Sequence, residues 1–201
     1  MDFQHLNTAT DWPTDPIGLF QEWFDFVKAD ESVPEPEAMT LCSATRDGRP
    51  SARLVLLRQL DHGFCFFTNY DSRKGGEFID NPHAALVFYW RKPYLQVRVE
   101  GRVEKVTVEE SDAYFHSRAR AKQMSTLTSQ QSRPIESWDA LRAAADSKMD
   151  SDTPVKRPDN WGGFRVLPER FEFWAGSPDR LHRRCEYLQD GDEWKRTLLA
   201  P

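Results

Sequence analysis

The chain is poor in the residues from which many recognisable sites are assembled. Its three cysteines, Cys42, Cys65 and Cys185, are odd in number, widely spaced and without a Cys-x-x-Cys pair, which argues against both a disulfide framework and a zinc site. They read as core thiols of a reducing cytoplasm, and no metal is expected. Apolar runs are short as well. The longest, Ala84 to Trp90, has seven residues, against the roughly 20 that cross a bilayer, so no membrane-spanning helix is expected. The first twelve residues have neither a basic nor an apolar leader region, and nothing marks the chain for secretion. Cations are in deficit: 27 Lys and Arg stand against 32 Asp and Glu, a net charge of −5. Nucleic acid and acidic membranes are therefore not expected partners, and any bound anion must be met by a local cluster of cations. Gly-x-Gly-x-x-Gly, Gly-x4-Gly-Lys-Ser/Thr, His-Glu-x-x-His and Gly-x-Ser-x-Gly are all missing, which removes the common nucleotide-loop, zinc-peptidase and serine-hydrolase readings.

What the chain does have is aromatic bulk, with 13 Phe, 7 Trp and 5 Tyr in 201 residues. Each such side chain buries about 150–250 Å², so a core can be built from few pieces. The length suits a single domain over residues 1–201, with 1–14 expected to be a flexible N-terminal segment. Asp15-Pro16 followed by Phe20, Trp23, Phe24 and Val27 predicts a capped amphipathic helix. Short apolar runs separated by turn residues follow: Met39–Thr45, Ala52–Leu60 and Phe64–Asn69, expected to form a β-meander. A short helix is expected from Ser72, then strands at His83–Trp90 and from Leu95, where Leu95, Val97 and Val99 alternate with Gln96, Arg98 and Glu100. Helices are predicted at Glu109–Arg118 and Ile135–Met149, with no clear period between them. A linker is expected at Asp150–Asn160, then strands at Gly163–Val166 and Arg170–Trp174, and a closing hairpin turning at Asp190-Gly191-Asp192. The sum is a mainly β, α+β architecture with flanking helices, a small barrel or sandwich in one unit.

Three local features carry chemistry. Ser72-Arg73-Lys74 stands where a strand hands over to a helix, so a hydroxyl, two cations and free N–H groups gather at one terminus and suit a phosphate. A solvated charged turn is the plainer alternative. Arg180-Leu-His182-Arg-Arg184 would put Arg180, His182 and Arg184 on one face of an extended segment, where they must share an anion or spread into solvent. Arg53 and Arg58 lie five apart and therefore on opposite faces of one strand, one toward a ligand and the other elsewhere, or both simply at the ends of a buried strand. Tyr114 and Arg118, four apart on a helix, could grip one anion together, or the ring could rest on the arginine stem.

Read together, Arg53-Leu-Val-Leu-Leu-Arg58, Phe67-Thr-Asn-Tyr-Asp-Ser-Arg-Lys74, Gln96-Val-Arg-Val-Glu-Gly101, Tyr114-Phe-His-Ser-Arg118, Gln131-Ser132, Trp161-Gly-Gly163, Glu172-Phe-Trp174, Arg180-Leu-His182 and Leu199-Ala-Pro201 resemble the pyridoxine (pyridoxamine) 5′-phosphate oxidase family over nearly the whole chain. The resemblance implies a Greek-key, FMN-binding split β-barrel and a homodimer with FMN at the subunit interface. It implies FMN contacts from Arg53, Leu54, Val55, Leu56, Leu57, Arg58, Phe67, Thr68, Ser72, Arg73, Lys74, Gln96, Gln131, Ser132, Trp174 and Arg184. It gives the substrate phosphate to Arg58, Tyr114, Arg118 and Lys122, and the pyridine ring to Arg180 and His182 as the catalytic pair. The implied reaction oxidises pyridoxine or pyridoxamine 5′-phosphate to pyridoxal 5′-phosphate, with O₂ reduced to H₂O₂. The chain departs from the family pattern at Arg58, Ala119, Lys122 and Leu198, where the family carries Lys, Pro, Ser and Arg, and Met1 to Trp12 offers no counterpart to the family's N-terminal arm. Two alternatives stay open: a related FMN oxidase of another reduced ring compound, such as the phenazine branch, and a flavin or pyridoxal-phosphate binding protein without turnover.

Overall fold

The computed structural model describes residues 6–149 and 155–201. Helix α1 (Pro16–Lys28) begins as expected: the Asp15 carboxylate accepts from the Ile17 N–H at 2.9 Å and Pro16 fills the first turn. Its inward stripe of Leu19, Phe20, Trp23, Phe24 and Val27 is buried, and Phe20 meets Phe64 edge-on with ring centroids 4.8 Å apart. Each of these side chains contributes about 1.5–3 kcal/mol on leaving water, which is what holds the helix to the sheet. Two residues of the N-terminal segment, Leu6 and Trp12, are buried, and Trp12 lies against Trp23 and Phe173. Tyr187 and Arg196 donate to the Pro13 and Trp12 carbonyls. No helix among the described residues is long and apolar enough to cross a membrane.

Among the described residues nine strands form one antiparallel sheet: β1 (Ala38–Ala44), β2 (Pro50–Leu56), β3 (Gln59–Leu60), β4 (Phe64–Asn69), β5 (His83–Trp90), β6 (Leu95–Lys105), β7 (Trp161–Ala175), β8 (Arg183–Asp190) and β9 (Glu193–Leu198). The order is β2-β1-β5-β6-β7-β4-β3, with β8 and β9 continuing from β7. The sheet is not closed, and with its helices it gives the mainly β, α+β fold expected. The expected meander is corrected. Among the described residues β2 pairs with β1 alone, and β4 crosses over to pair with β7. Two strands expected at Gly163–Val166 and Arg170–Trp174 are one, β7, which runs through Pro168 because the register shifts opposite Glu100 and Gly101. Gly101 permits the close approach there: a Cβ on it would stand 1.9 Å from the Leu167 carbonyl oxygen. The first half of β7 pairs with β4 and the second half with β8, while β6 flanks both.

Four further helices lie on the sheet's flanks: α2 (Arg73–Asp80), α3 (Val108–Ser117), α4 (Arg120–Thr128) and α5 (Trp138–Asp146). α3 opens on a capping box between Thr107 and Glu110. α4 lacks a sequence signal because only Gln123 and Met124 are buried along it. α5 starts at the Ser137 cap, three residues after Pro134, rather than at Ile135, and buries nothing. Of the expected linker, 150–154 lie outside the described residues. Arg157 in the remainder is buried and donates to Asp112 and the Trp161 carbonyl, tying the approach to β7 onto α3.

Candidate active site

A groove of about 980 Å³ runs between β2, the end of β4, the start of α2 and the α3–α4 corner. Among the described residues it is lined by six cations, Arg53, Arg58, Arg73, Lys74, Arg118 and Lys122, and by no carboxylate. In a chain of net charge −5, that concentration is the local cluster that the composition required of any anion site.

Lys74 is the deepest of these cations. It is buried in the first turn of α2, and its ammonium donates to Thr68 Oγ1 at 3.0 Å, Gln131 Oε1 at 3.2 Å and Ser72 Oγ at 3.4 Å, all neutral oxygens. Burial, reinforced by the nearby Arg53 charge and only partly opposed by Glu77, pulls its pKa down to about 8. Ser72 is the N-cap of α2, and its hydroxyl accepts from the Gly75 N–H, so it braces the site from behind and does not line the groove. Gly75 fits only because it has no side chain, since a Cβ would stand 1.9 Å from the Tyr70 carbonyl oxygen.

Arg53 and Arg58 share this one groove, which corrects the opposite-face expectation. The strand stops at Leu56, because the Leu57 N–H turns to the Glu37 carbonyl and the Arg58 N–H to that of Cys65. Leu57 is therefore buried in the core, whereas Leu54, Val55 and Leu56 line the groove. Behind the groove, Glu77 accepts from Ser43, Ser51, Arg53 and Arg73. Its burial alone would raise its pKa; these donors outweigh that and hold it at about 2.

Phe67, Tyr114 and Trp161 stack as an aromatic wall, with Phe67 and Tyr114 centroids 3.9 Å apart and the Tyr114 and Trp161 rings 5° from parallel. Arg118 caps the wall, its guanidinium 4.7 Å from the Trp161 centroid, and donates to Thr126 Oγ1 and the Lys122 carbonyl. Burial lowers its pKa against the opposing pull of Tyr114, with the Arg58 charge acting in the same direction as burial. Ser132 also lines the groove, at φ +70°.

The remaining candidates gather elsewhere. Gln96 on β6 is opposite Trp174 on β7, which is opposite Arg184 on β8. His182 packs on Trp174 with centroids 4.6 Å apart, and its Nδ1 accepts from the Ser177 N–H at 3.0 Å, so the neutral ring carries its proton on Nε2. Arg184 donates to Glu172 and the Ala200 carbonyl. The extended face expected for Arg180, His182 and Arg184 does not form. β8 begins at Arg183, and Arg180, at φ +67°, closes a turn onto the Ser177 carbonyl. His182 and Arg184 line a smaller cavity of about 340 Å³ that shares no residue with the groove. β7 carries both clusters, Trp161 at one end and Trp174 thirteen positions on, which is roughly 40 Å of strand.

Trp161 and the Glu77 brace are the site features that residue-level reading passed over. Trp161-Gly-Gly163 entered only as part of a motif, and a glutamate in a short helix carries no signal of its own. The large cation-lined groove fits a phosphorylated ligand: buried Lys74, held by neutral oxygens alone, and a flat aromatic wall match a phosphate joined to a planar ring.

Fold and site together define a mainly β protein of open-barrel form with a cationic, aromatic-walled cleft. Family models described as pyridoxamine 5′-phosphate oxidase and as the pyridoxine 5′-phosphate oxidase C-terminal dimerisation region match residues 27–147 and 161–201. The chain belongs to the pyridoxamine 5′-phosphate oxidase family. It is 47% identical to the pyridoxine/pyridoxamine 5′-phosphate oxidase of Bordetella petrii, over 92% of this chain and 89% of the relative. With the enzyme of the same name from Gluconobacter oxydans it shares 46% identity, over 95% and 96% of the two chains. Among solved structures, PhzG from Burkholderia lata 383 in complex with tetrahydrophenazine-1-carboxylic acid superposes with a TM-score of 0.92 at 35% identity, covering 96% of each chain.

Proposed function

We propose that the chain is an FMN-dependent, cytoplasmic oxidase that converts pyridoxine or pyridoxamine 5′-phosphate to pyridoxal 5′-phosphate, reducing O₂ to H₂O₂ and, for the amine, taking up water and releasing ammonia. The observation that carries this reading is the groove, lined among the described residues by six cations and no carboxylate, enough charge for two phosphates. When bound, FMN supplies the hydride acceptor and the route for electrons to O₂. Lys74, with Thr68 and Gln131, holds the cofactor phosphate, and Arg58, Tyr114, Arg118 and Lys122 hold that of the substrate. Arg180 and His182 orient the pyridine ring, His182 through the Nε2 proton that its bond from Ser177 leaves in place. The protein's share of catalysis is orientation and charge.

The two clusters at opposite ends of β7 support a homodimer, in which the groove of one protomer is completed by the Trp174, Arg180, His182 and Arg184 cluster of its partner, with FMN between them. Flavin-loaded protein supplied with O₂ and either phosphorylated substrate forms the aldehyde and an equal amount of H₂O₂; a yellow protein inert toward both overturns the reading. The close superposition on PhzG favours a second reading, oxidation of a reduced tricyclic ring acid. Turnover of such a ring, unaffected by Arg118→Ala, decides for it.

A further inference from the structure

We propose that Glu77 is a positioning residue: it sets the directions of Arg53 and Arg73 at the anion end of the groove, and so creates the preference for a phosphorylated over an unphosphorylated ligand. The inference rests on the flavin reading above. Glu77 sits one turn into α2, buried and outside the groove lining. Its carboxylate gathers four donors from three elements. Oε2 accepts from Ser43 of β1 at 2.5 Å and from Ser51 and Arg53 of β2 at 2.6 and 3.3 Å; Oε1 accepts from Arg73 Nε at 2.9 Å. Arg53 is fixed further by Ser43, Ser51 and the Leu41 carbonyl. Both of its terminal nitrogens are thereby engaged, and its charge is set beside Lys74. Arg73 is held by Nε alone, which leaves its two terminal nitrogens without a partner among the described residues, on a side chain 64% exposed at the groove.

Charge and geometry make opposite demands on this residue, which is what makes the role testable. As a bare negative charge behind an anion site, Glu77 weakens phosphate binding, and its neutralisation would tighten it. As the group that aims two guanidiniums, it removes their rotamer freedom before a ligand arrives, and its loss weakens binding. The buried, four-donor geometry favours aim over charge.

The test compares Kd values for FMN and riboflavin, which differ only by the phosphate, in wild type and Glu77→Gln, with circular dichroism to check folding. The wild type prefers FMN; Glu77→Gln weakens FMN about tenfold or more and leaves riboflavin within about twofold. Equal loss for both flavins, or tighter FMN, overturns the inference. Should Glu77→Gln not fold, Ser43→Ala keeps the carboxylate but removes one of its donors, and lowers FMN affinity selectively by about threefold or more; an equal effect on both flavins overturns it again. A wild type that binds riboflavin as well as FMN overturns the flavin reading, and the inference with it.

Discussion

A buried ammonium that donates to neutral oxygens gains more from an incoming anion than a surface lysine does, and among the described residues Lys74 is in that position. Its pKa of about 8 without ligand means that the neutral form takes over as pH rises through that value. An anion beside it favours the charged form and raises the pKa, so binding is accompanied by proton uptake that approaches one proton well above pH 8 and fades well below it. FMN affinity is therefore flat between pH 6.5 and 7.5 and falls by up to about tenfold per pH unit above about 8. Riboflavin affinity stays flat over the same range. Titration of both flavins from pH 6.5 to 9.5 checks this, and a flat FMN curve contradicts the role given to Lys74. The presence of a cation at this position was legible in Ser72-Arg73-Lys74. The division of labour between the three was not, because it depends on which side chain the Ser72 cap and the Gln131 amide enclose.

Helix α2 has two adjacent glycines that sequence alone cannot tell apart. A Cβ on Gly75 would meet the Tyr70 backbone at 1.9 Å, whereas one on Gly76 would meet nothing within 4 Å. Gly75→Ala therefore destabilises by about 1–3 kcal/mol or more, since backbone must move, while Gly76→Ala is neutral or gains up to about 1 kcal/mol from helix propensity. Urea denaturation of the two variants separates them. Elements with a clear signal were readable in advance: α1 from its cap and aromatic stripe, β5 from its apolar run and β6 from alternation. The misses have physical causes. α4 buries too little to show a period, β2 ends where distant carbonyls of Glu37 and Cys65 capture its next two amides, and β7 reads as two strands because its bulge is set by β6. Pairing partners such as β4 with β7 are long-range choices that no local pattern records.

At the scale of the molecule, the two residue clusters cannot serve one site within one chain if roughly 40 Å of strand separates their anchors, Trp161 and Trp174. Lys74→Ala disables the groove and Arg180→Ala the other cluster. In the proposed homodimer, either lesion carried by both protomers is expected to abolish activity. A mixed dimer of the two contains one site with both lesions and one with neither, so random co-assembly in equal amounts restores about one quarter of wild-type activity. Mixing Lys74→Ala with Arg118→Ala, two lesions of the same groove, restores none. Sites built within single chains would give no recovery in either mixture.

The length of β7 thus reaches into heredity. In the proposed homodimer, a cell carrying two damaged copies of this gene shows a trait that depends less on how severe each lesion is than on which end of one strand each affects. Lesions at opposite ends conceal each other, while two at the same end leave the cell without the activity.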